Sequence, residues 1–188
     1  MNNVRGKLQK TVGRMVLRKS VFGVVLLSMV SGVIAPAALA QETTGSVSGL
    51  PIPRFVSLKP SDTPMREGPS KDHRIKWVFK KEGVPVEIIS EFEHWRRVRD
   101  SEGDDGWVFH SRLSGRRTAQ INPKLKDANV PIMATGNESA QVVARLQPGV
   151  IGTVEQCTGR WCRISGDGFD GWLPQERLWG VYPGEKVK

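Results

Sequence analysis

The chain has 188 residues, of which 38% are hydrophobic and 25% charged, with a formal net charge of +9 and only two cysteines. Such a charge on a short chain would point to nucleic acid, but six of the cations, Arg5, Lys7, Lys10, Arg14, Arg18 and Lys19, lie in the first 20 residues, where no acid stands. The remainder carries 22 Lys and Arg against 19 Asp and Glu, a net of +3, which argues against a nucleic-acid-binding protein; the pairs Arg96-Arg97 and Arg116-Arg117 read as a solvated strand face and a linker.

In chain order, the basic leader is followed by an uncharged apolar run from Val21 to Ala40 that ends in Ala38-Leu39-Ala40. A basic start, an apolar stretch and a small-x-small ending make a secretory signal peptide, here residues 1–40, cleaved before Gln41. The competing reading is an uncleaved anchor, because the run is about long enough to span a bilayer; Pro36 and the Ala-rich end favour cleavage. The expected product is periplasmic or secreted, with no stable membrane insertion. Residues 41–53 (QETTGSVSGLPIP) are small and polar and read as a flexible leader.

The rest of the chain repeats itself. Gly83, Trp95, Gly106-Trp107-Val108 and Leu113 recur as Gly149, Trp161, Gly171-Trp172-Leu173 and Leu178, at an offset of 66 falling to 65. A self-match of this length marks one folding unit used twice. Repeat one is placed at 54–115, a polar linker at 116–129, repeat two at 130–182 and a tail at 183–188.

Within each repeat the pattern is that of strands. Ile75–Phe79, Val84–Ile89, Trp95–Arg99 and Trp107–Phe109 in the first are matched by Gln141–Leu146, Val150–Cys157, Trp161–Ile164 and Phe169–Leu173 in the second. Short β-branched runs separated by Gly-rich turns predict a small antiparallel barrel or sandwich in each repeat. No stretch after residue 40 has a helical period beyond a tight turn at Ser111–Leu113. The fold class is therefore all-β, with two tandem small units. Units of about 60 residues bury little of their surface, so packing of the two copies and a covalent staple are both expected to help.

The run Gly171-Trp172-Leu173-Pro174-Gln175-Glu176-Arg177-Leu178 resembles the last-strand pattern of SH3 domains, and Arg66-Glu67-Gly68-Pro69-Ser70 resembles the opening loop of bacterial SH3-type domains. Gly83, Trp95, Val98 and Gly106-Trp107-Val108 complete that pattern. The chain thus resembles an exported pair of bacterial SH3-like domains, which implies two tandem small SH3-like β-barrels. Repeat two departs from the pattern, with Pro131-Ile132-Met133-Ala134 in place of the Arg-x-Gly-Pro loop. What the resemblance implies is binding rather than catalysis: docking to peptidoglycan peptides or to an envelope protein, with no cofactor and no nucleic acid.

Candidate site residues follow from alternation. If Val98 and Ile164 face the core, Trp95 and Trp161 face outward, and Val108 and Leu173 place Trp107 and Trp172 outward likewise. Arg66, Trp95 and Trp107 are expected to line a groove in repeat one, with Trp161, Trp172 and Pro174 the counterparts in repeat two. Exposed indoles suit extended peptides or sugars. The alternative is structural: the same indoles pack between repeats or protomers and no small ligand exists. Cys157 and Cys162 bracket a four-residue turn and are expected to form a disulfide after export, a spacing unlike a Cys-x-x-Cys redox motif. His73, His94 and His110 share no metal-ligand spacing, and Glu102–Gly106 reads as a turn rather than a calcium loop. No catalytic or metal-binding residue is expected.

Overall fold

The computed structural model describes residues 43–59, 62–126 and 129–188. The expected signal peptide lies outside them. Among the described residues no helix is long and apolar enough to cross a membrane.

A two-stranded hairpin comes first, β1 (Thr43–Thr44) with β2 (Pro51–Ile52). Repeat one follows as β3 (Arg54–Leu58), β4 (Thr63–Arg66), β5 (Ile75–Phe79), β6 (Pro85–Phe92), β7 (Trp95–Arg99), β8 (Asp105–Phe109), a 3-10 turn (His110–Arg112) and β9 (Leu113–Ser114). Repeat two is β10 (Thr118–Ile121), β11 (Val130–Met133), β12 (Val142–Leu146), β13 (Ile151–Thr158), β14 (Trp161–Gly166), β15 (Phe169–Pro174), a 3-10 turn (Gln175–Arg177) and β16 (Leu178–Trp179). A last strand, β17 (Lys186–Val187), pairs with β13. The strand order is β5-β4-β8-β7-β6-β3-β9 in the first sheet and β12-β11-β15-β14-β13-β10-β16 in the second. Element for element these orders are the same, so the repeat seen in the sequence is a repeat of topology.

The landmark residues have structural causes. Gly83 and Gly149 both take positive φ, 72° and 89°, in equivalent turns before β6 and β13, a conformation that glycine adopts without steric cost. Gly106 and Gly171 let the neighbouring strand close in, since a Cβ there would stand 2.8 Å from the Arg66 carbonyl or 2.7 Å from that of Met133. Each curled sheet wraps its own core. Val56, Leu58, Met65, Val86, Ile88, Val98 and Val108 fill the first; Ile121, Val130, Ile132, Val154, Ile164 and Leu173 lead the second. Each such side chain contributes about 1.5–3 kcal/mol over its exposed state. Val98, Ile164, Val108 and Leu173 are core residues, as alternation required.

The expected boundaries change in three places. Residues 116–129 are not simply a linker: β10 lies in them, pairs with β13 and β16, and buries Thr118, Ala119 and Ile121. The 41–53 leader includes the β1–β2 hairpin, and its turn is pinned by the buried Glu91 carboxylate. The Val47 and Ser48 amides donate to Glu91 Oε2 at 3.0 and 2.8 Å, Ser48 Oγ donates to Oε1 at 2.7 Å, and Arg54 and Arg96 approach Oε1 at 2.8 and 3.3 Å. Burial opposes ionisation of Glu91, but these bonds outweigh it and hold the carboxyl down at about 2. The 183–188 tail contains β17, and Glu185 within it pairs with Arg117 at 2.6 Å.

The two barrels pack against each other through a polar and aromatic seam. Phe55 meets Trp179 edge-on at 5.1 Å and Tyr182 at 4.7 Å between ring centres. Thr118 Oγ1 donates to the Gly83 carbonyl at 2.7 Å, Trp179 Nε1 to that of Pro85 at 3.2 Å, and the Tyr182 hydroxyl to Glu87 at 2.8 Å. Arg99 holds the other Glu87 oxygen at 2.9 Å. Burial first, then the Glu87 carboxylate, push the Tyr182 phenol well above its ordinary range, so it stays a donor.

Candidate functional site

Cross-strand register places the predicted tryptophans. Trp95 lies opposite Phe109, and Arg97 opposite Trp107, across β7 and β8; Trp161 lies opposite Pro174, and Arg163 opposite Trp172, across β14 and β15. Residues directly opposite share a sheet face, so all four indoles lie on the outer faces, away from Val98 and Ile164.

They are not the exposed rings that alternation predicted. Trp95 and Trp161 are only 8% and 9% exposed. The outer face is itself covered there. Phe109 stands edge-on to Trp95 at 5.3 Å, and His94 and His110 stack beside Phe109. Trp161 and Trp172 lie under the loop after β11, so close that a Cβ at Gly136 would sit 3.1 Å from Trp161 and 3.3 Å from Trp172. Trp107 and Trp172 are half-buried.

Both buried indoles still present an edge to a groove, at equivalent places. In repeat one a groove of about 280 Å³ runs between Trp95, Phe109 and Pro64, rimmed by Arg66, Lys71 and Arg112. In repeat two a larger cleft of about 500 Å³ is floored by Trp161, Pro174 and Leu178, with Glu138 and Glu176 on its rim. Trp95 corresponds to Trp161, and Phe109 to Pro174. The second cleft is larger because the seam supplies a further wall, made of Phe55 from repeat one with Trp179 and Tyr182 from repeat two. The structure therefore brings Arg66 to Trp95, and Trp161 to Pro174. Trp107 lies apart from Trp95, in a separate concavity with Glu67, Lys76 and Arg97.

Several groove residues were not singled out in the sequence. Phe55, Trp179 and Tyr182 reach the cleft only through the docking of the barrels. Lys71 and Glu138 lie in loops whose path no local pattern gives. The ring contacts across the seam also bear on the structural alternative: among the described residues they join Phe55 to Trp179 and Tyr182, not the four predicted tryptophans.

Cys157 and Cys162 are joined in a disulfide with Cα atoms 4.1 Å apart, on neighbouring strands as expected, which leaves neither as a nucleophile. Among the described residues no group of three or more His, Cys, Asp or Glu is placed to hold a metal ion. What the grooves offer is an aromatic floor with a charged rim.

A fold of two SH3-type barrels with aromatic grooves defines a class of small β modules. The model of the bacterial SH3 domain matches residues 59–115 and 126–180, and the chain belongs to that family. Its domains are typically non-catalytic binding modules associated with the cell wall. No curated protein matches the chain. Among solved structures it is similar to NlpC2 from Trichomonas vaginalis, at 14% identity and a TM-score of 0.30, over 70% of this chain and 48% of that one. NlpC1 from the same organism gives 15% identity and a TM-score of 0.29, over 72% and 48%. The chain spans about half the length of these two proteins.

Proposed function

We propose that the protein is an exported, non-catalytic docking module that holds an extended peptide of the cell wall, or of an envelope protein, in its two SH3-type grooves. The observation that carries this is the recurrence of one arrangement at equivalent places: a buried Trp edge, Trp95 or Trp161, beside an apolar residue of the last long strand, Phe109 or Pro174. A ring fixed by packing offers contact area without a further loss of side-chain freedom on binding. Arg66 at the mouth of the first groove and Pro174 on the floor of the second are further proposed contacts. Export by the signal peptide of residues 1–40 belongs to the same reading.

The structural alternative has one observation in its favour, the low exposure of Trp95 and Trp161. Co-sedimentation of the mature protein with purified peptidoglycan sacculi separates the two. Docking predicts that the protein pellets with the sacculi and is released by soluble muropeptides. A protein that stays in the supernatant, and whose Trp95 and Trp161 indoles do not respond to soluble muropeptides, fits the structural reading instead.

A further inference from the structure

The two grooves lie at equivalent places and are opposed in charge. Their equivalence is fixed by backbone detail. In the loop after β4, the Ser70 amide donates to the Gly68 carbonyl, and Ser70 Oγ accepts from the Asp72 amide at 3.0 Å. In the loop after β11, the Asn137 amide donates to the Thr135 carbonyl, and Asn137 Oδ1 accepts from the Ser139 amide at 2.9 Å. These pairs are 67 positions apart. So are Arg66 and Met133, each opposite the Trp of its Gly-Trp pair, Trp107 or Trp172. By the same register Lys71 corresponds to Glu138, and each lines its own groove. In the following 3-10 turns, Ser111 corresponds to Glu176.

The rim of the first groove thus carries Arg66, Lys71 and Arg112 and no carboxylate. Among the described residues none of the three has a salt-bridge partner. Arg66 Nη1 donates to the His73 carbonyl at 2.7 Å, a neutral acceptor that leaves its charge uncompensated. In the second cleft Met133 and Glu138 stand where Arg66 and Lys71 do, and Glu176 adds a second acid; Arg160 is the cation without a salt bridge there. Glu87 and Arg99, also in its wall, neutralise each other.

We infer that the grooves are charge-sorted: the repeat-one groove takes a carboxylate-bearing stretch of an extended peptide, and the repeat-two cleft disfavours it. Uncompensated cations around an apolar floor attract an anion and orient it, while like charge in the second cleft repels it. The inference rests on the docking reading above and names the ligand chemistry of its first groove. A peptide laid across both grooves would be fixed in direction by this asymmetry.

The test titrates the mature protein with an N-acetylated, C-amidated pentapeptide carrying two glutamates, and with the same peptide carrying two glutamines, followed by tryptophan fluorescence at low salt. The glutamate peptide should bind at least tenfold tighter, and the preference should shrink as salt screens the rim. Lys71→Glu should abolish the preference with the melting temperature unchanged, because Lys71 is exposed and unpaired. Glu138→Lys should add a second site for the glutamate peptide. Equal binding of both peptides, binding of neither, or a preference that survives Lys71→Glu would overturn charge sorting. Sacculus co-sedimentation of the same proteins keeps the two readings apart. Wild type that pellets without any peptide preference sinks the charge inference and spares docking. A glutamate preference with no pelleting upholds charge sorting and rules out the cell wall in favour of an envelope-protein peptide.

Discussion

Replacing Glu91 by Gln should cost about 3 kcal/mol of stability at neutral pH and remove most of the acid sensitivity of repeat one. The Glu91 side chain is fully buried and accepts from Ser48, Val47, Arg54 and Arg96. Its carboxyl is held at about 2 against an ordinary 4.5, and each unit of such a difference corresponds to about 1.4 kcal/mol. A carboxyl depressed on folding stabilises the native state above its unfolded pKa and loses that contribution as pH falls towards the folded value. The contribution is therefore complete above about pH 5.5, and about 2 kcal/mol of it is gone by pH 3. Breaking a buried pair by removing one partner costs about 3–5 kcal/mol, which agrees. Urea denaturation of wild type and Glu91→Gln at pH 7 and pH 3 measures it. The variant should be weaker at pH 7, and the gap should narrow by about 2 kcal/mol at pH 3. A gap that is the same at both pH values would refute an ionised, buried Glu91 as the pin of the N-terminal hairpin.

Other expectations follow from the same geometry. Trp95→Ala and Trp161→Ala should each lose about 3–5 kcal/mol of stability, as expected for an aromatic side chain removed from a packed site; calorimetry of the single variants checks this, and losses under 1 kcal/mol would contradict the burial. Cys157→Ser should lose about 2 kcal/mol, the loop-closure entropy of a short loop, and hydrogen exchange should place the loss in β13 and β14 rather than in repeat one. Trp179→Ala removes a seam ring and a hydrogen bond, so a single calorimetric transition in the wild type should split into two. Intact mass of exported protein should begin at Gln41; a mass retaining residues 1–40 would replace the secreted reading with an anchored one.

The repeat and its all-β character were legible because their causes are local. Gly83 and Gly149 announce turns that need positive φ, and the Gly-Trp pairs mark the close approach of β4 and β11. Strand β10 was missed for a countable reason. Leu58 and Ile121 occupy the same place, each amide donating to the residue after the turn glycine, Val84 or Val150. They are 63 positions apart, whereas Met65 and Ile132 are 67 apart. Four extra residues between β10 and β11 break the register, and Leu125 from that insertion packs against the second core. A period read from the later landmarks therefore leaves β10 in the linker. Alternation gave the correct face for Trp95 and Trp161 but not their burial, because it describes one strand and says nothing of the loops and rings laid over it. The seam wall of the larger cleft was illegible for a similar reason: Phe55 and Tyr182 are 127 positions apart, and only the docking of two barrels joins them.

Ligand should meet the protein at the two equivalent Trp edges, Trp95 and Trp161. Nitrogen–proton NMR resolves the indole groups of all six tryptophans during titration with soluble muropeptides. The Trp95 and Trp161 indole signals should shift with saturable dependence on ligand, while that of Trp77, partly buried against the first core, should not. Indoles that stay still at saturating muropeptide, or a response confined to Trp77 and Trp107, would contradict the account.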